Sequence, residues 1–222
     1  MKNIFVTGGA GYVGSSLVPL LLKRGYGVTV LDLMIYGENV LPKHDKLKIV
    51  KGDIKSSKFC DKICKGIDVI YHLAALADEP TSYLEPENYI DTNIKGTLNI
   101  CRAALKNNVN RIIQVSSSAV YGNPQYLPVD ENHPIQTKSP YSASKIGADA
   151  IAMSFFYSSK LPLTIARPFN TYGPMQNNNA VIPFIKTNNS TKYVKKNKII
   201  NLNRNKIYLT QTPQCFDFKT LY

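Results

Sequence analysis

No run of apolar residues in this chain comes near the roughly 18 to 20 that a bilayer-spanning helix requires, although 44% of its 222 residues are hydrophobic and only 19% are charged. A soluble globular chain is expected, with one large domain or one domain and a partial second, at about 150 residues per domain. No secretory leader is expected either: Met1-Lys2-Asn3-Ile4-Phe5-Val6 leads straight into Thr7-Gly8-Gly9-Ala10-Gly11, too short and too glycine-rich for a signal peptide. A cytoplasmic location follows as the expectation. Cysteine is scarce. Cys60, Cys64, Cys101 and Cys215 show no disulfide framework, and Cys60 and Cys64 lack neighbours that would complete a zinc site, so reduced thiols and no metal are expected.

Acidic residues are the other shortage, 15 against 27 basic ones, for a formal charge of +12. The excess is lopsided: from Lys186 onward eight basic residues face Asp217 alone, so the last 37 positions hold +7 and the first 185 only +5. A mildly basic body suits a protein that binds phosphorylated ligands, and neither nucleic acid nor membrane is expected as a partner.

What is present is an alternation of short β-branched runs with helix-length amphipathic stretches. Strands are predicted at Asn3 to Thr7, Gly27 to Asp32, Leu47 to Lys51, Asp68 to Leu73, Arg111 to Ser116 and Leu163 to Arg167. Helices are predicted from Tyr12 to Arg24, Lys55 to Lys65, Pro86 to Asn107 and Ser139 to Ser158, with a kink or a lost hydrogen bond at Pro19. Apolar strands without strict alternation fit a parallel sheet buried on both faces, and the βαβα order predicts an α/β, Rossmann-like doubly wound sheet.

After the first strand, Thr7-Gly8-Gly9-Ala10-Gly11-Tyr12-Val13-Gly14 turns the chain into a helix. Glycines there permit the tight turn, let backbone approach a pyrophosphate, and bring helix against strand, while the helix N-terminus offers free N–H groups. Asp32 follows Gly14 by 18 residues at the end of the second strand, where an acid hydrogen-bonds the adenosine ribose and repels the extra phosphate of NADP. NAD is therefore the expected cofactor. A second constellation joins Ser116-Ser117-Ser118, after the fifth strand, to Tyr141 and Lys145 at a helix opened by Pro140. Tyr and Lys four apart share a helix face, and an ammonium beside an oxidised nicotinamide can lower a tyrosine pKa of about 10 enough for base catalysis.

These motifs resemble the extended branch of the short-chain dehydrogenase/reductase superfamily, the NAD-dependent sugar-nucleotide epimerases and dehydratases. The resemblance runs from Met1 to about Ile185: TGGAGYVG, LDL around Asp32, GDI at Gly52 to Ile54, HLAA at His72 to Ala75, SSSAVYG at Ser116 to Gly122, YSASK at Tyr141 to Lys145, and RPFNTYGP at Arg167 to Pro174. It implies that Gly8, Gly11, Tyr12, Val13 and Gly14 bind the cofactor with Asp32. It also implies that Asp53 and Ile54 border the adenine, that Leu73, Ala74 and Ala75 pass beneath the cofactor, and that Asn93 and Phe169 face it. Asn170 would face the substrate diphosphate, and His72 needs no catalytic role. Tyr141 would take a sugar hydroxyl proton, Lys145 would hold the nicotinamide ribose, and Ser117 would hydrogen-bond the reacting oxygen. The implied partner is a nucleotide sugar; a homodimer remains one option.

The dehydratases of the family commonly hold an acid two residues before the tyrosine of the V-Y-G segment, where this chain has Ala119. An epimerase is therefore preferred to a 4,6-dehydratase. After Ile185 the text turns Lys- and Asn-rich without a family motif, so residues 1–185 are expected to form the NAD-binding domain with its catalytic residues. Residues 186–222 are expected to form a mobile basic tail in place of most of a substrate domain, with short strands at Ile199-Ile200 and Ile207-Tyr208-Leu209 as an option. A truncated product is the expectation, with turnover lost, and the rival reading is an NAD-binding module that does no chemistry.

Overall fold

The computed structural model describes residues 2–171 throughout and, beyond them, four short strands. The chain divides into two compact units, Met1–Pro168 and Phe169–Tyr222. In the first, β1 (Asn3–Thr7), β2 (Gly27–Asp32), β3 (Leu47–Lys51), β4 (Val69–His72), β5 (Arg111–Val115) and β6 (Leu163–Ala166) form one sheet in the order β3-β2-β1-β4-β5-β6. Every pairing is parallel. The order reverses between β1 and β4, and the crevice beyond the carboxyl ends of those strands is where open α/β sheets take their ligands.

Alternation along β1 explains why both faces of the sheet are covered. Ile4 and Val6 pack with Val18, Leu21 and Leu22 of α1 (Tyr12–Lys23) and with Val28 and Val30. Phe5 points the other way, into a core with Ile70, Ile100, Ile112 and Ala152. That second layer is built by α2 (Ser57–Ile63) and by the later helices, α5 (Gly96–Lys106) and α6 (Pro140–Ser159). Between them lie α3 (Glu79–Leu84) and α4 (Pro86–Tyr89). Cys60, Cys64 and Cys101 are buried in this layer, and burial pushes their thiols up to about 11, 12 and 12, so they stay protonated. No metal-binding cluster is found among the described residues, and Cys215 lies outside them.

One helical prediction is corrected, and one helix was not predicted. The helix predicted from Pro86 to Asn107 is not uniform, because Ile90–Lys95 forms a π-helical turn between α4 and α5. A π turn holds less than one residue more than an α turn, so a single widened turn leaves almost no mark on hydrophobic periodicity. The helix α3, which the periodicity did not reveal, is short but well started: the Asp78 carboxylate caps it by accepting from Thr81 N at 3.0 Å, and Pro80 lies in its first turn. Pro19 sits inside α1, which runs unbroken from Tyr12 to Lys23.

α6 begins where its sequence says it should. Ser139 Oγ accepts from Ser142 N at 3.1 Å and Ser142 Oγ accepts from Ser139 N at 3.0 Å, a reciprocal capping box behind Pro140. This start places Tyr141 in the first turn and Lys145 one turn later. The second unit contains β7 (Phe184–Lys186) antiparallel to β10 (Tyr208–Thr210), and β8 (Lys192–Lys195) antiparallel to β9 (Lys198–Asn201). Among the described residues no helix is long and apolar enough to cross a membrane.

Candidate active site

The turn after β1 is shaped by two glycines that tolerate no side chain. Gly8 has φ +69°, donates from its amide to Leu31 O at 2.8 Å, and would place a Cβ 2.7 Å from Ala74 N. A Cβ on Gly14 would lie 2.4 Å from Gly9 O. Helix and turn therefore touch through backbone. Gly11 is the N-cap of α1 and no side chain caps the helix, so the first-turn amides of Tyr12, Val13 and Gly14, with the partial positive charge of the helix end, are left to a ligand. Val13 is exposed and Tyr12 half-buried.

Asp32, at the end of β2, is held across the mouth of this turn: Oδ2 accepts from Ala10 N at 2.9 Å and Oδ1 from Met34 N at 2.8 Å. Each oxygen keeps lone pairs for further donors. Beyond β3, Asp53 Oδ1 accepts from Lys55 N at 2.8 Å, so its carboxylate is turned onto its own loop. Ile54 is buried, and its carbonyl accepts from Asn99 Nδ2 at 2.9 Å.

The floor of the crevice is fixed by a buried polar chain. Thr97 Oγ1 donates to Asn93 O at 2.6 Å, which leaves it to accept from His72 Nε2–H at 3.1 Å. His72 Nδ1 then accepts from Thr7 Oγ1 at 2.6 Å, and Thr7 Oγ1 in turn accepts from Ala74 N at 3.2 Å. The imidazole is thus neutral, protonated on Nε2, with both nitrogens satisfied, and burial followed by the nearby Lys145 charge drives its pKa down to about 3. Leu73 N extends the ladder to Thr7 O at 3.1 Å, and Ala75 lies half-buried beyond Ala74. Asn93, in the π turn, donates from Nδ2 to Leu76 O and Ser144 Oγ at 2.9 and 2.8 Å and accepts from Leu76 N at 2.9 Å. Its amide is committed to the chain that follows β4.

This histidine makes stability depend on pH. A base whose pKa is lower in the folded than in the unfolded state leaves the unfolded chain with more protons between the two values, so stability is full above about 6.5 and falls as pH drops towards 3. Acidification from pH 7 to 5 is expected to cost about 2 kcal/mol through His72 alone. Thermal unfolding at the two pH values checks it, and His72→Gln should flatten the dependence.

At the end of β5 the second constellation assembles. Ser117 caps a 3-10 turn over Ser118–Tyr121 by accepting from Ala119 N at 3.1 Å, and its hydroxyl lies near enough to Tyr141 to act on the phenol. Burial pushes the Tyr141 phenol above its usual range, the Ser117 hydroxyl pulls it down, and the charge of Glu79 raises it again. Tyr89 meets the Tyr141 ring edge-on at 6.4 Å. Lys145 is 4% exposed, donates from Nζ to Val115 O at 2.7 Å, and is lowered to about 8 by burial, which the Asp149 carboxylate opposes. Phe169, half-buried, and Asn170, exposed, open the second unit.

The sequence motifs left Asp149 unnoticed. Its carboxylate is buried and accepts from Ser116 Oγ at 2.9 Å and Arg167 Nε at 3.2 Å. The signal was present in the spacing: Asp149 follows Lys145 by four residues, as Lys145 follows Tyr141, so all three lie along one face of α6.

A glycine turn at the switch point of a doubly wound sheet, an acid at the end of β2 and a Tyr/Lys pair at the carboxyl end of β5 define the α/β architecture that takes dinucleotides. The chain belongs to the NAD-dependent epimerase/dehydratase family, whose model matches residues 4–205. It is 38% identical over 177 residues to a putative UDP-glucose 4-epimerase of Methanocaldococcus jannaschii, covering 78% of this chain and 57% of that protein. A UDP-N-acetylglucosamine 4-epimerase structure from Methanobrevibacter ruminantium, in complex with UDP-N-acetylmuramic acid, aligns with TM-score 0.76 and 37% identity over 81% of this chain and 58% of that one. A dTDP-glucose 4,6-dehydratase from Streptomyces venezuelae with NAD bound aligns with TM-score 0.77 and 33% identity over 82% and 60%. The chain thus spans about three fifths of the length of these relatives. NAD is the cofactor of the family, and the unfilled first-turn amides, the side-chain-free turn and the Asp32 carboxylate fit it.

Proposed function

We propose that this chain is the NAD-dependent part of a nucleotide-sugar epimerase that works through a transient keto sugar. The observation that carries the proposal is the convergence of Ser117, Tyr141 and Lys145 at the carboxyl end of β5, beside the switch point of the sheet. When bound, NAD supplies the acceptor and donor of a hydride from the sugar carbon. The first-turn amides of α1 hold the pyrophosphate, Asp32 accepts from the adenosine ribose, Asp53 and Ile54 border the adenine, and Leu73 to Ala75 form the floor that Asn93 steadies. Tyr141 takes the hydroxyl proton from the sugar and later returns it. Ser117 orients the reacting oxygen. Lys145 remains mostly charged at pH 7, by roughly ten to one, and Nζ keeps two N–H groups for the nicotinamide ribose beyond its bond to Val115. Phe169 and Asn170 are assigned to cofactor and substrate diphosphate respectively.

Epimerisation is preferred because Ala119 supplies no acid at the 3-10 turn, where its amide is engaged by Ser117. A 4,6-dehydratase is the second reading, and one observation favours it: Glu79, exposed at the start of α3, lies near enough to Tyr141 for its charge to raise the phenol. Product analysis with UDP- and dTDP-sugars separates them, an epimer supporting the first and a dehydrated 4-keto sugar the second. Turnover of neither, with NAD bound, leaves a dinucleotide-binding module. Calorimetric titration is expected to give tighter binding of NAD than of NADP. Asp32→Ala should weaken NAD by about tenfold and narrow the gap, as expected for about 1 to 2 kcal/mol of hydrogen bonding to a charged group. An unchanged gap would reject the role given to Asp32.

A further inference from the structure

Asp149 is 4% exposed, and only one of its oxygens is used: Oδ2 accepts from Ser116 Oγ at 2.9 Å and Arg167 Nε at 3.2 Å, whereas Oδ1 is buried without a hydrogen-bond partner. Leaving half of a buried carboxylate unsatisfied is costly. Arg–carboxylate pairs frequently engage the guanidinium through both oxygens. Arg167 instead directs Nη1 to Tyr121 OH at 3.2 Å and lies over that ring, 5.3 Å from its centre.

The segments gathered by this carboxylate are those that carry the site. Ser116 immediately precedes Ser117, and Tyr121 closes the 3-10 turn that Ser117 caps. Arg167 immediately follows β6. On α6, Lys145 lies one turn before Asp149, and the two are not in ion-pair contact. The other groups around Lys145 are Tyr141 on the same helix, neutral His72 on β4 and the Val115 carbonyl on β5, while Glu79 of α3 acts on Tyr141 and cationic Arg167 binds Asp149; burial pushes the Asp149 carboxyl up, and its bond to Ser116, the charge and bond of Arg167 and the Lys145 charge pull it back towards the ionised form. Asp149 is the one carboxylate among the described residues whose charge supports the Lys145 ammonium.

We propose that Asp149 is a positioning residue: its Oδ2 clamps the ends of β5 and β6 against α6, and its charge, with Oδ1 left unpaired, keeps the buried Lys145 protonated. This rests on the proposed role of Lys145 in proton transfer. A structural clamp alone would hold Ser116 and Arg167 but would not set the charge state of Lys145.

The test is the titration of the Lys145 side chain in the cofactor-free full chain, followed by NMR of ¹³C-labelled lysine, with Lys145→Arg identifying the resonance. Asp149→Asn, which keeps the shape and removes the charge, is expected to lower the Lys145 midpoint by about one pH unit or more, and Asp149→Glu to restore most of it. An unchanged midpoint in a folded Asp149→Asn protein overturns the proposal. Should that variant not fold, Asp149→Ser decides, because a smaller neutral side chain removes the same charge with less to accommodate. Its Lys145 midpoint is expected to fall, and no change overturns the proposal equally. Ser116→Ala, which cuts a tether without altering charge, should leave the midpoint in place, and a shift there as large as in Asp149→Asn would reduce Asp149 to a clamp. Since no cofactor is present, loss of NAD binding would defeat the functional reading without touching this result, and the reverse holds too.

Discussion

Tyr141→Phe is expected to lower kcat for nucleotide-sugar conversion by about 10²- to 10⁴-fold in whatever form of the protein shows turnover, while the affinity for NAD stays within about threefold. The substitution removes one oxygen and leaves the ring against Tyr89, so packing is kept. In the cofactor-free protein burial holds this phenol above its ordinary pKa, and Ser117 provides the opposing pull. On the proposed mechanism the base is dormant until an oxidised nicotinamide brings positive charge beside it. Steady-state kinetics with parallel cofactor titrations check the split. A Phe variant with wild-type kcat would remove Tyr141 from the chemistry, and a variant that lost NAD binding in equal measure would make it a cofactor ligand instead.

Gly14→Val should have a comparably large effect by a different route. Even a single Cβ would sit 2.4 Å from Gly9 O and 2.5 Å from Gly9 C, which are backbone atoms of the phosphate-binding turn and cannot swing aside as a side chain would. Relief requires α1 to move away from the turn, which withdraws its first-turn amides from the pyrophosphate and opens the contacts of Val18, Leu21 and Leu22 beneath it. Overpacking of this kind costs about 1 to 3 kcal/mol or more, and NAD affinity is expected to fall by at least about a hundredfold. Val13→Ala, at an exposed position in the same turn of helix, should change neither. Calorimetry and thermal unfolding of both variants test this contrast.

The parts of the fold that the residues announced are those where local and global requirements agree. β1, β2 and β3 match their predicted limits, and β4, β5 and β6 are shorter by one or two residues, because each is a compact apolar run closed by glycine, a charge or a turn. α6 was legible for another reason: Ser139, Pro140 and Ser142 spell its start, and the start sets the phase of Tyr141 and Lys145. Less was legible where one element answers to another far along the chain. Asn93 looks like an ordinary helical residue until the π turn brings it to Leu76 and Ser144. Asp149 reads as a surface charge on an amphipathic helix, and only the meeting of β5 and β6 with α6 shows it buried. His72 lay within a quoted motif, but the threonines that fix its tautomer come from positions 7 and 97.

The grip of Asn93 on Leu76 has a further meaning. One carboxamide accepts from the N–H and donates to the C=O of the same residue, which is what an adjoining strand does for each residue it pairs. The side chain thus acts as a strand one residue long, keeping the chain extended past β4 where no backbone neighbour is at hand. Such mimicry needs a donor and an acceptor on one planar group, so an aspartate of the same shape could imitate only half of it. Hydrolysis of that single amide, a change of one atom's identity, would replace an attraction with a repulsion between two oxygens at the floor of the crevice.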